Sequence, residues 1–90
     1  MSEPNLRALK VRAQALKPAI RLGKAGLTPE FLAAFDDALT RAKLLKVRFE
    51  GFKEERKAVA KDLAEKSASL LVQQVGYTAV YYREAVSQQE

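Results

Sequence analysis

The chain has no cysteine, no histidine and no tryptophan, and only four glycines and three prolines among its 90 residues. Each absence closes a class of function. Without cysteine there are no disulfides, thiolate ligands or thiol nucleophiles. Without histidine the commonest metal ligand and the usual neutral-pH base are missing as well. Catalytic pairs built on either residue are impossible, and neither a metal nor a cofactor is expected. No apolar run is long enough to cross a bilayer. The start, Met1-Ser2-Glu3-Pro4, does not resemble a secretory signal. The expectation is a soluble, cytoplasmic protein with no membrane partner.

With so few glycines and prolines, their positions carry weight. Gly23 and Gly26 enclose Lys24 and Ala25, with Pro18 upstream and Pro29 downstream. Two glycines in a short turn permit positive φ and let the backbone approach a ligand with no Cβ in the way. A helix start follows at once, with Thr28 as N-cap, Pro29 at the first helical position and Glu30 in the first turn. Leu27 and Leu32 occupy the positions of a hydrophobic staple. Unpaired N–H groups and the positive end of the helix dipole then point at the loop, which predicts an anion site formed by the backbone of Gly23, Lys24, Ala25, Gly26 and Leu27 with Lys24 as cation.

What the chain does have is apolar bulk and an uneven charge. Apolar residues make up 48%, enough for one small domain, expected over residues 5–84 with a frayed tail at 85–90. The net charge is +5. Residues 1–28 hold six cations, Arg7, Lys10, Arg12, Lys17, Arg21 and Lys24, against Glu3 alone, and the ten cations after them are balanced by ten acids. The whole excess therefore sits on the N-terminal segment and the glycine loop, the footprint expected for contact with a polyanion. Arg7, Lys10, Lys17 and Arg21 are the candidate anchors around the loop. Lys46 and Arg48 alternate with a core face but have Glu50, Glu54 and Glu55 nearby, and are expected to be mostly plain surface.

Periodicity supplies the elements. Residues 5–17 place Leu6, Leu9, Ala13 and Leu16 on one stripe of a helix and Arg7, Lys10, Gln14 and Lys17 on the next. Pro18 ends it, and residues 19–22 read as a short strand. From 29 to 43 a broad face of Phe31, Leu32, Phe35, Ala38, Leu39 and Ala42 predicts the firmest helix. Residues 45–50 alternate as a half-buried strand, 53–67 predict a third helix, and 70–75 and 78–83 are strands joined at Gly76-Tyr77 in a two-residue hairpin. The order α-β-α-β-α-β-β implies an α/β, two-layer fold with a four-stranded mixed sheet, three helices and an antiparallel hairpin at the end.

With these segments in order the chain resembles the CRM domain family, the chloroplast RNA splicing and ribosome maturation domain, and in particular its free-standing bacterial YhbY-like members. The resemblance covers roughly residues 5–84. It rests on Leu16-Lys17-Pro18, on Leu22-Gly23-Lys24-Ala25-Gly26-Leu27-Thr28, on Leu45-Lys46-Val47, and on Val75-Gly76 with Tyr82-Arg83. It implies a fold similar to the C-terminal domain of translation initiation factor 3 and binding to structured RNA. For a bacterial member it implies association with precursor large-subunit rRNA in pre-ribosomal particles, as a monomer when free. KH domains also set a Gly-x-x-Gly loop on RNA backbone, but theirs joins two helices, whereas a strand precedes this one. Tyr81 and the turn Glu50-Gly51-Phe52 depart from the family pattern.

The remaining candidates divide between site and scaffold. Arg83, at a strand end, is a candidate phosphate contact. Tyr77, Tyr81, Tyr82 and Phe52 either stack on unpaired bases or pack in the core, and Tyr81 and Tyr82, as strand neighbours, face opposite ways. The acidic pairs Asp36-Asp37 and Glu54-Glu55 point apart on helices and read as solvated surface. A phosphate-ester enzyme is disfavoured because the loop lacks the Lys-Ser/Thr of a Walker motif and no metal-ligand cluster accompanies it. The role expected is non-enzymatic RNA binding in ribosome assembly. The alternative is an interaction module whose basic helix docks on an acidic assembly factor or ribosomal protein.

Overall fold

The computed structural model describes residues 5–52 and 54–83. In chain order they form α1 (Leu6–Ala15), β1 (Ile20–Leu22), α2 (Pro29–Ala42), β2 (Leu44–Phe49), α3 (Arg56–Ser67), β3 (Leu70–Val75) and β4 (Thr78–Tyr82). The expected element order is present. The four strands make one mixed sheet in the order β1-β2-β4-β3, with β1 parallel to β2 and β4 antiparallel to both of its neighbours. The expected tail at 85–90 lies outside the described residues.

The register explains how one sheet serves two cores. On β2, Leu45, Val47 and Phe49 are buried with Leu22, Ala79 and Tyr81 beneath α2 and α3, which contribute Phe35, Leu39, Ala60 and Leu63. Alternate residues emerge on the other side, where Leu44, Val72 and Val80 are buried against Leu9 and Ala13 of α1. The expected two-layer arrangement is thus three layers deep, with a helix on one face and two on the other. The reason is a second, smaller set of apolar residues on the strands, Leu44, Val72 and Val80, for which Leu9 and Ala13 supply the cover. In β3 the register shifts between Leu71 and Gln73, leaving Val72 without a partner residue on β4, while alternation sends Leu71 and Val72 to the cores on opposite faces.

Local chemistry sets the element ends. Asn5 Oδ1 accepts from Ala8 N–H at 3.2 Å and caps α1, and Thr28 Oγ1 accepts from Phe31 N–H at 3.0 Å and caps α2, with Pro29 behind it. α1 stops at Ala15, two residues before the expected end, because Leu16 leaves the helix in extended conformation to pack with the α1 core. α3 has no side-chain cap. It begins at Arg56, later than the sequence suggests. The β3–β4 hairpin turns on Gly76 at φ +56, positive at the first of its two central positions as a II′ turn requires.

Tyr81 locks the larger core. Its ring meets Phe35 edge to face at 5.1 Å, and its hydroxyl donates to the Ala60 carbonyl at 3.0 Å. Burial pushes its phenol well above the usual value of about 10. Once the pH exceeds about 10, an unfolded Tyr81 loses a proton that the folded one keeps, so stability falls as pH rises, by at most about 1.4 kcal/mol per pH unit from this group. Tyr81→Phe is expected to abolish that contribution while costing about 1 kcal/mol at neutral pH, since the Ala60 carbonyl loses its donor. Urea unfolding of both proteins from neutral to alkaline pH measures the two effects together.

Candidate nucleic-acid interface

The register places the glycine loop at one end of the sheet. Leu22 pairs with Phe49, and β4 starts beside Arg48, so the Gly23–Gly26 loop, the turn after β2 and the β3–β4 hairpin tip crowd the same end. Gly26 N–H donates to Gly23 O at 3.1 Å, closing a tight turn around Lys24 and Ala25, and Thr28 N–H donates to Gly26 O at 2.9 Å. Among the described residues the N–H groups of Lys24, Ala25 and Leu27 have no hydrogen-bond acceptor. Gly26 N–H is spent on the turn, and the helix end offers less than expected. Thr28 satisfies Phe31 N–H and Leu32 N–H, and Pro29 has none to give. Among the described residues, Glu30 N–H alone of the first helical turn is left without an acceptor.

The two glycines play different parts. Gly26 sits at φ +84, and a Cβ there would lie 3.6 Å from the Phe52 ring, whereas Gly23 does not have positive φ and a Cβ on it would meet nothing within 4 Å. The folded chain gives no reason for glycine at 23. Phe52, itself at φ +59, packs its ring against the core and under the loop. Gly51 lies so near that a Cβ on it would be 3.4 Å from Cγ of Lys24, so the Lys24 stem rests on the turn after β2.

Beside the loop the sheet face on the α1 side is left open. α1 covers the rows of Leu44 and Val80 and stops short of the last row, where Arg21 and Arg48 are paired neighbours on that face with Thr78 and Val75 beyond them. Arg21 and Arg48 are exposed, and Arg21 Nε lies 3.5 Å from Glu50. Of the six cations before residue 29, Arg21 alone has an ion-pair partner among the described residues. Arg7, Lys10 and Lys17 are exposed as expected, but α1 carries the first two alongside the far rows of the sheet and Lys17 precedes the far end of β1. Arg48 is the neighbour that sequence reasoning set aside. The period-two match between β1 and β2 is the signal that pairs it with Arg21.

Arg83 is placed differently from its expected phosphate role. It sits at the opposite end of the sheet with its side chain 15% exposed; Nη1 meets Asp36 at 2.7 Å and Thr40 Oγ1 at 3.2 Å, and Nη2 donates to the Ser67 carbonyl. It ties the ends of α2 and α3 together. The aromatic residues also separate. Tyr81 is core, Tyr82 packs with the α1 cluster, Phe52 supports the loop, and Tyr77 remains 48% exposed at the hairpin tip with the Arg56 guanidinium 4.2 Å from its ring centre. Of the acidic pairs, Asp37 bridges to Arg41 at 3.3 Å.

Comparison with known proteins is consistent across sequence and structure. A family model for the CRS1 / YhbY (CRM) domain matches residues 1–83. The chain is 34% identical over 80 residues, 88% of its length and 83% of the relative's, to "Probable RNA-binding protein YqeI" of Bacillus subtilis (strain 168). It is 33% identical over 76 residues, 83% of its length and 77% of the relative's, to a protein of Haemophilus influenzae named "RNA-binding protein". The solution structure of the hypothetical protein SAV1595 from Staphylococcus aureus superposes with a TM-score of 0.78 at 31% identity, covering 93% of this chain and 88% of that one.

The asymmetry of the two glycines is open to test by stability alone. Gly26→Ala is expected to destabilise the fold by about 1–2 kcal/mol, the cost of a left-handed alanine. Gly23→Ala is expected to be neutral or to stabilise by up to about 1 kcal/mol through a less flexible unfolded chain. Urea denaturation of the two variants against the parent gives both values.

Proposed function

Since the chain belongs to the CRS1 / YhbY (CRM) domain family, we propose that it is an RNA-binding protein that holds the phosphate backbone of structured RNA on its Gly23–Gly26 loop. Its target in this reading is precursor large-subunit rRNA, and its role is to assist ribosome assembly as a non-enzymatic factor, monomeric when free and cytoplasmic. The relatives are RNA-binding proteins by name. No helix among the described residues is long and apolar enough to cross a membrane.

The observation that carries the proposal is the set of N–H donors at Lys24, Ala25 and Leu27 that have no acceptor among the described residues, beside a Lys24 ammonium that has no ion-pair partner among them. A phosphate oxygen on those amides receives charge-assisted hydrogen bonds, and Lys24 adds a cation at the same place. Arg21 and Arg48 extend the contact along the open sheet face, while Arg7, Lys10 and Lys17 steer the polyanion at longer range. Contacts of this kind set position and affinity and carry little base information, so selection among RNAs comes from shape.

A second reading draws on the outer side of α1, where Leu6 and Val11 are exposed among Arg7, Lys10 and Arg12. That face suits an acidic protein partner. Lys10→Glu combined with Lys17→Glu separates the readings, because loss of a protein partner with RNA binding intact assigns α1 to protein contact.

Affinity purification from the native cells, with sequencing of the bound RNA at low and high salt, tests the main proposal. Precursor large-subunit rRNA is expected to be enriched at low salt and lost at high salt. In a titration with a structured rRNA fragment, Lys24→Ala is expected to weaken binding about fivefold and to lower the slope of log affinity against log salt by about 0.7–0.9, one phosphate contact. Lys66→Ala, at the far end of α3 and paired with Asp62 at 3.9 Å, is expected to leave both unchanged. Affinity insensitive to salt overturns the mechanism.

A further inference from the structure

Next to the phosphate loop lies an open recess of about 470 Å³ lined by Arg48, Phe49, Glu50, Gly51 and Tyr77. Its walls come from two elements that the fold holds together, since Phe49 N–H donates to the Tyr77 carbonyl at 2.6 Å and pins the hairpin tip to the end of β2. Gly51 belongs both to the recess and to the support of Lys24. We propose that this recess receives one unpaired nucleobase, stacked on the Tyr77 ring, from the same RNA strand whose backbone lies on the loop. The inference rests on the reading of that loop as a phosphate site.

The chemistry of the lining selects a base over a second phosphate. Tyr77 offers a ring that is 48% exposed in a chain that otherwise buries or half-buries its aromatics. The ring is held in place from elsewhere. Arg56 lies 4.2 Å over it, lines a neighbouring hollow with Glu54, Lys57, Gln74 and Gly76 rather than the recess, and keeps Nε and Nη1 buried with no hydrogen-bond partner among the described residues. A guanidinium in that position has the ring as its main company, which costs the fold unless a fixed ring has a use. A fixed ring loses little freedom when a base stacks on it.

Glu50 decides the rest. It lines the recess, and its carboxylate, 3.5 Å from Arg21 Nε, repels a phosphate but retains lone pairs that accept hydrogen bonds from base amino and imino groups. Arg48, on the same wall, donates to base carbonyl and ring-nitrogen acceptors. Guanine suits this pair best, with N1–H and N2–H₂ for the carboxylate or O6 and N7 for the guanidinium. Uracil, with a single N–H donor, suits it least. The recess therefore reads an unpaired guanosine beside a backbone contact, and a continuous duplex leaves it empty.

The test uses three short RNA hairpins of the same stem, one with a single bulged guanosine, one with a bulged uridine and one fully paired, titrated at low salt against the full chain and its variants. The parent is expected to bind the bulged guanosine about tenfold more tightly than the paired stem, the scale of one base–aromatic stack, with the uridine bulge between them. Tyr77→Leu, which keeps apolar cover over Arg56, is expected to remove the advantage, Tyr77→Phe to retain it, and Glu50→Gln to narrow the gap between guanosine and uridine. Circular dichroism of each variant verifies the fold. If Tyr77→Leu binds all three RNAs as the parent does while Lys24→Ala still weakens binding, the recess proposal is overturned and the loop reading stands. If Lys24→Ala changes nothing, or no hairpin binds, both are overturned.

Discussion

The alternation of side chains along β2 is the constraint on which the molecule depends. A strand sends successive residues to opposite faces, and β2 is paired on both edges. Leu45, Val47 and Phe49 therefore bind the sheet to α2 and α3, while Leu44 on the other face takes α1. The same alternation brings Lys46 and Arg48 out on the α1 side, Lys46 half-buried in the row of Val80 and Arg48 exposed beyond Leu9 and Ala13. A one-residue slip in register would invert all of this, burying arginine and exposing phenylalanine. Core formation and the basic surface are two results of one pattern.

Departures from local rules occur at both ends of the sheet, Lys43 and Ala68 taking positive φ at the end of Arg83. At the loop end Phe52 takes a left-handed conformation, α3 starts without a side-chain cap and with Arg56 and Lys57 in its first turn, and two nitrogens of Arg56 are buried without partners among the described residues. Each is a modest cost in isolation. The opposite end is tied together by Arg83, which joins Asp36, Thr40 and the Ser67 carbonyl. Stability is held at one end of the sheet, and adaptable polar groups are presented at the other.

The helix start shows how a strong local signal can be right about structure and less complete about chemistry. Thr28, Pro29 and Glu30 begin α2 where the sequence suggests. The cap that makes the helix also takes up the N–H groups of Phe31 and Leu32, leaving Glu30 N–H alone at the helix start among the described residues. The other available donors lie upstream at Lys24, Ala25 and Leu27, where the turn closed by Gly26 N–H holds the chain open. The loop motif was legible in the residues; the identity of its free donors was not, because that depends on which N–H groups the fold has already used.

The sequence by itself determined the seven elements in order, the hairpin at Gly76-Tyr77, the cap at Thr28, the concentration of positive charge before residue 29 and the family. These follow from periodicity, turn chemistry and motif, which act over a few residues. Tertiary structure decided the rest. It placed α1 on the face opposite α2 and α3, turned Arg83 inward as a brace, put Arg48 beside Arg21, and gathered Tyr77, Glu50 and Gly51 around one recess. Those outcomes depend on strand order and register, which join residues tens of positions apart, and no local pattern in the chain records which strand lies next to which.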